Sequence, residues 1–303
     1  MALPIYATTG QRIWYYTFRV ICGLIFFYLI APIFVILPLS FSSGEYFTYG
    51  ANMFGFNADG DFSMATLKEA YGLKHYHDAL TNEWMGPLKN SFIIAIPATI
   101  LSVSLGTLAA IGLSQSHVPF KRPIMAILIS PMIVPLVVSG YGMALFYAPL
   151  ANFFTDTVGL DKTFVRFAKV IFAHAVLGIP FVIITVTATL VSFDDSLTKA
   201  SANMGAGPLR TFFKVQMPLI LPGMIAGGLF AFITSFDEVV VIIFLGSAEV
   251  QSLPWQMFTG LREQISLTIL AVATMLVTFS IILLISLELL RRRSERLRGI
   301  TES

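Results

Sequence analysis

Long apolar runs separated by short polar connectors make up most of this chain. Six runs, at about Val20–Ser40, Leu88–Leu113, Pro123–Ala148, Phe167–Val191, Leu219–Leu245 and Ser266–Leu290, each exceed the roughly 18–20 residues that carry a helix across a bilayer core. Short segments of alternating polarity, the mark of a membrane β-barrel, are absent. The pattern predicts an all-α polytopic membrane protein with six transmembrane helices, built as one domain over residues 1–303 with its core at about 88–290. Arg12 and Arg19 precede the first run as in a signal peptide, but the run is too long for one and no small-x-small cleavage site follows. It is therefore expected to span. The third run contains Pro131, Pro135, Gly140 and Gly142, which should break or loosen its helix. Broken membrane helices commonly line a pathway, although Gly and Pro are also ordinary in such helices.

Composition agrees with the pattern. The 303 residues are 56% hydrophobic and 12% charged, with a mean hydropathy of +0.80, whereas soluble domains carry about 25% charged residues. Lys and Arg divide unevenly between the connectors: twelve lie on the side of both termini and seven on the other. The excess of positive charge predicts cytoplasmic termini. A net charge of +2 then reflects topology, and no basic folded surface suited to nucleic acid is present. The longest connector, 42–86, would face outward as a periplasmic loop. Within it Ser63 can cap a short helix over Ser63–Leu80. Two readings stand for this loop: packing on the membrane surface, or contact with an extracytoplasmic partner.

The second notable connector, 194–218, lies on the cytoplasmic side. Asp194 or Asp195 can cap a helix running to Met204, with Leu197, Ala200 and Met204 on one face. Gly205 is suited to end it in a left-handed conformation. Pro208 suits a first helical position, a second short helix follows from Arg210 to Gln216, and Pro218 and Pro222 lead into the fifth run. Two short helices joined by a glycine turn have a shape suited to docking in a cleft. The spacing Lys199-Ala200-Ser201, three residues, Gly205, nine residues, Val215-Gln216-Met217-Pro218 resembles the Glu-Ala-Ala…Gly…Ile-x-Leu-Pro motif of bacterial ABC-importer permeases. In that family the loop is the coupling helix seated on a cytoplasmic ATPase. The resemblance thus implies ATPase contact through Asp194, Asp195, Lys199, Ala200, Ser201, Gly205 and Pro218. Lys199 departs from the usual acid and Ser201 from the usual alanine, so Asp194 or Asp195 is the candidate replacement charge.

Asp237 and Glu238 interrupt the fifth apolar run. An acid at the centre of a membrane helix costs roughly 2.5–3.5 kcal/mol on insertion scales, so each needs a partner or a wet cavity. Neighbouring residues on a helix diverge by about 100°, so the two need not share a role. The run Ser235–Val241, with the segment SLPWQMFTGLREQIS after it, resembles the spermidine/putrescine-type permeases, and the similarity extends from about Leu88 through the sixth run. A carboxylate pair suits a cationic substrate, while helix packing or gating is the competing role. Candidate path residues are Tyr141, Ser235, Asp237 and Glu238. Gly223, Gly227 and Gly228 more simply allow close helix approach.

The resemblance implies a type I ABC-importer permease (MetI-like) fold in the bacterial inner (cytoplasmic) membrane. It also implies a second permease subunit of different sequence, two cytoplasmic ATPase subunits that use ATP and Mg, and an extracytoplasmic solute-binding protein. No phosphate-loop motif occurs, so the chain is not expected to hydrolyse ATP or to bind a cofactor. His75, His77, His117 and His174 have no metal-ligand spacing, the single Cys22 cannot form an intrachain disulfide, and no nucleophile–base set is visible. Two rival classes remain: an ion- or proton-coupled secondary transporter using Asp237 and Glu238, and a non-transport scaffold.

Overall fold

The computed structural model describes residues 8–297 except 46, 58, 115–117, 192 and 264–265. Along the chain its helices are α1 (Thr9–Ser40), α2 (Met64–Ala70), α3 (Lys74–Ala79), α4 (Asn82–Ser114), α5 (Lys121–Ile133), α6 (Leu136–Asn152), α7 (Lys162–Val191), α8 (Asp195–Asn203), α9 (Pro208–Thr211), α10 (Met217–Phe236), α11 (Val240–Leu245), α12 (Leu253–Glu263) and α13 (Thr268–Leu297). Among the described residues extended structure is limited to two isolated bridges, Ser42 with Tyr71 and Phe56 with Phe62. Among the described residues six helical stretches are long and apolar enough to cross a membrane: Thr9–Ser40, Glu83–Ser114, Leu136–Thr157, Lys162–Val191, Pro208–Phe236 and Thr268–Ser286. The chain groups into two compact units, one from Asn82 to Thr259 and one combining the segments on either side.

In the flanking unit, Thr8 and Gln11 form a reciprocal capping box that starts α1 earlier than the apolar run alone predicts. Leu39, Met53, Ala70 and Leu267 form its small core. Ser63 caps α2 as expected, accepting from the Ala65 N–H, but the predicted Ser63–Leu80 helix is two helices, because Tyr71 is extended. His75 is buried, with Nε2 3.0 Å from the Gly44 carbonyl and Nδ1 3.4 Å from Thr268 Oγ1. It thereby ties the loop to the start of α13.

The central unit is built on α4, α7 and α10 packed together. Lipid gives no hydrophobic drive for helices to associate, so close backbone approach and dispersion must hold them. The glycines supply that approach. A Cβ at Gly227 would lie 2.7 Å from the Val182 Cα, one at Gly223 2.8 Å from the Thr185 carbonyl, and one at Gly228 2.8 Å from Val103. Val182, Val186, Ile220 and Ala231 are almost fully buried around these contacts.

Two predicted spans are interrupted. The third is not continuous over Pro123–Ala148. Pro131 sits within α5 without ending it, and the break falls at Val134, whose ψ of 137° is extended. The Pro135 ring excludes the helical conformation for the residue before it, and Pro135 then leads into α6. Leu136–Thr157 is the stretch long enough to span. The fifth run is also not one helix: α10 stops at Phe236, and 237–239 are non-helical before α11 begins. Asp237 and Glu238 therefore do not diverge around a helix, as the continuous-span expectation assumed.

Candidate coupling loop and substrate path

The 194–218 connector has a defined shape. Asp194 adopts an extended backbone and accepts from the Ser196 N–H at 2.9 Å, capping α8. That backbone bond, a second from the Ser196 side chain and the nearby Lys199 charge hold the Asp194 carboxyl below the usual carboxylate range. Gly205 has φ of 81°. Its N–H donates to Ala202 and that of Ala206 to Ser201, at 2.9 and 3.1 Å, the bond pair of a Schellman turn. Gly207 and Pro208 then open α9. Ser201 and Thr211, both buried, face each other across the turn at 3.0 Å, and Gln216 donates to Thr198.

The predicted second short helix is instead the start of the fifth span. After α9 a π turn over Phe212–Gln216 runs directly into α10, so Pro208–Phe236 is one helical stretch and Pro218 lies in its interior. Through its glycine turn α8 is therefore joined to one long helical stretch. Leu197, Ala200, Met204 and Leu209 are exposed, as are Lys199 and Pro218. Asp195 is the first residue of α8, but its side chain lies outside the described residues, as does all of His117.

The interruption at 237–239 separates the four path candidates. Asp237 is exposed and ends α10. Glu238 is buried, and its Oε1 accepts from the Val241 N–H at 3.0 Å, capping the first turn of α11. Ser235 is buried, with its Oγ 2.9 Å and its carbonyl 3.1 Å from His174 Nδ1. Tyr141 is exposed on α6, its ring edge-on to Phe244 of α11 with centroids 6.1 Å apart. A Cβ at the adjacent Gly140 would lie 2.9 Å from the same Phe244 ring, so α6 and α11 meet closely. The sequence reading therefore names two exposed groups, Tyr141 and Asp237, and two buried supports, Ser235 and Glu238.

His174, considered in the sequence only for metal-ligand spacing, is the residue that joins α7 to the end of α10. An ionisable side chain inside an apolar run was the available signal. At the other end of α7, Arg166 pairs with Glu249. Asn90 Nδ2 donates to the carbonyls of Glu249 and Gln251, and Ser91 Oγ accepts from the Leu253 N–H. The starts of α4 and α7 and the 246–252 connector thus lie at one end of the unit, the end opposite α8.

A six-span helical protein with a capped polar loop continuous with a broken span is built as a membrane transport component. The family described as binding-protein-dependent transport system inner membrane component matches residues 102–296, and the chain belongs to it. It is a multi-pass inner-membrane permease subunit of an ABC importer, a class that works with a second permease, ATPase subunits and a binding protein. The spermidine/putrescine transport system permease protein PotC of Escherichia coli (strain K12) is 25% identical over 268 residues, covering 88% of this chain and 91% of that protein. The putrescine transport system permease protein PotI of the same strain is 26% identical over 253 residues, covering 83% and 82%. A solved bacterial ABC transporter involved in the import of the acidic polysaccharide alginate aligns with a TM-score of 0.63 over 96% of this chain and 99% of that one. At 19% identity this likeness concerns the fold. Family membership sets aside the gradient-coupled and scaffold alternatives.

Proposed function

We propose that this permease forms part of the import path for a small organic cation, a polyamine or a related amino-acid-derived compound. The observation that carries the reading is Asp237, an exposed carboxylate at an unwound point of a membrane-spanning segment. From Leu219 to Asp237 the helix rises about 27 Å at 1.5 Å per residue. The acid then lies toward the far side of a hydrocarbon core about 30 Å thick, where water reaches more readily and charge is less costly. Tyr141 lies on α6, which packs on the same α11, and offers an aromatic face to a cation. Ser235 and Glu238 serve this path from behind, as supports. Similarity to the PotC and PotI permeases supports the same substrate class.

The chain pairs with a second permease of different sequence and receives substrate from an extracytoplasmic binding protein on the side of the 42–86 loop. Both termini are cytoplasmic in this reading. Two cytoplasmic ATPase subunits, holding the ATP and Mg, grip the exposed face of α8 and its turn through Asp194, Asp195, Lys199, Ala200 and Gly205. Ser201 braces the turn from inside, and Pro218 lies in the rod that carries the motion to Asp237. The chain itself binds no cofactor.

The test is uptake by the complete complex reconstituted in proteoliposomes. Asp237→Asn should slow putrescine uptake about tenfold, the loss expected for one charge-assisted contact, with the assembled complex present in normal amount. Unchanged putrescine and spermidine uptake would sink the cation-path reading.

A further inference from the structure

His174 is fully buried on α7, beside core residues Ala173 and Leu177, and has no part in the function described so far. Its contacts fall where the fifth span comes apart. The last four carbonyls of any helix lack a partner within it. At the end of α10, the Ile233 carbonyl accepts from the Asp237 N–H at 3.0 Å, and the Ser235 carbonyl faces His174 Nδ1 at 3.1 Å. A carbonyl only accepts, so the proton is on Nδ1, which is shared with Ser235 Oγ at 2.9 Å. Nε2 is then a bare acceptor, and it has no hydrogen-bond partner among the described residues. Among the described residues only Nδ1 of this imidazole is engaged, with the carbonyl and hydroxyl of the residue two before Asp237.

We propose that His174 is a positioning residue: by holding the Ser235 carbonyl it fixes the end of α10 and so the direction in which Asp237 faces the path. On the other side of the break Glu238 caps α11. The three non-helical residues are thus clamped by a side chain at each end, one reaching across from α7 and one from within the break. An apolar residue in place of His174 would leave the carbonyl bare, and the end of α10 would be free to rewind. The proposal rests on the reading of Asp237 as the substrate-facing acid.

The experiment uses the complete complex in proteoliposomes, with putrescine uptake scored per assembled complex. The amide nitrogen of Asn sits near the place of Nδ1, whereas that of Gln reaches toward Nε2. His174→Ala and His174→Gln should each lower uptake about tenfold, while His174→Asn should stay within about threefold of the parent. His174→Ala combined with Asp237→Asn should be no slower than Asp237→Asn alone, since both remove the same interaction.

Rescue by Gln rather than Asn, parental uptake by His174→Ala, or multiplying losses in the double variant would each overturn the positioning role. Failure of the Ala and Gln variants to assemble would also overturn it, in favour of a purely structural part. A slow Asp237→Asn with a normal His174→Ala defeats only this inference. A normal Asp237→Asn defeats the cation-path reading beneath it, and this inference with it.

Discussion

Two of the helix interruptions that carry an acid, at 194–207 and at 237–239, are built differently. At the 194–207 turn, Asp194 caps α8 from the surface, and the far end closes through Gly205 and two backbone bonds. At 237–239 no glycine is present. In the last turn of α10 the Ser235 carbonyl meets His174 across the bundle, and in the first turn of α11 the Val241 N–H meets the buried Glu238. Water can complete any backbone group left over at the exposed turn. The flanks of the inner break, Ser235 and Glu238, are buried, and a backbone group away from water needs a protein partner, which side chains supply there. The outer turn is a local motif, and the inner break is a tertiary one.

The difference predicts unequal sensitivity to substitution. The largest effect should come from Glu238→Ala, which strips a buried cap and leaves the Val241 N–H bare. A loss of about 1–3 kcal/mol is expected for such a group. Glu238→Gln keeps an acceptor oxygen and should lose much less. Thermal unfolding of the purified complex measures both, and equal melting of Ala and Gln variants would remove the capping role.

Next in size is Gly205→Val. A residue with a Cβ in the left-handed region costs about 1–2 kcal/mol, and branching adds to it. No atom lies within 4 Å of the site of that Cβ, so the strain is conformational rather than steric. ATP hydrolysed per putrescine imported should rise, with Gly205→Asn intermediate because Asn tolerates that conformation. An unchanged ratio in both variants would separate the turn from coupling.

The smallest effect is at Asp194. Its carboxyl is held below its ordinary value of 3.8, so the folded state binds its proton less readily than the unfolded one. The cap's contribution is therefore complete above about pH 4 and is lost as pH falls through the lower folded value. Asp194→Asn keeps a capping oxygen but no charge, and should flatten the acid dependence of α8 stability without changing it at neutral pH. Hydrogen exchange at the Ser196 and Leu197 amides across that range is the measurement. An identical acid profile in the variant would assign the dependence to other groups.

The exposed turn was legible residue by residue. Asp194, Gly205 and Pro208 each occupy a position that their own backbone chemistry dictates, and the structure uses each as expected. The fifth span was not legible in this way. Its run of apolar residues continues past Asp237 into Val239–Leu245, so hydropathy saw one helix, and no Gly or Pro marks the break. The third span shows the intermediate case. Proline marked the region, but only Pro135 ends a helix: at Pro131 the Ile127 carbonyl that loses its N–H partner accepts from the Ser130 hydroxyl at 2.7 Å instead.

The sequence by itself determined the class: six apolar helices, a polar loop with fixed spacing, and acids too costly to face lipid. These follow from transfer free energies and backbone preferences that act within a few residues. Only the tertiary structure decided that Asp237 is exposed while its neighbour Glu238 is buried, and that His174, 61 residues before Ser235, meets the Ser235 carbonyl just ahead of the break. The physical reason is that a backbone group in an apolar medium takes whatever donor or acceptor the packed helices bring to it, and that partner has no fixed distance along the chain.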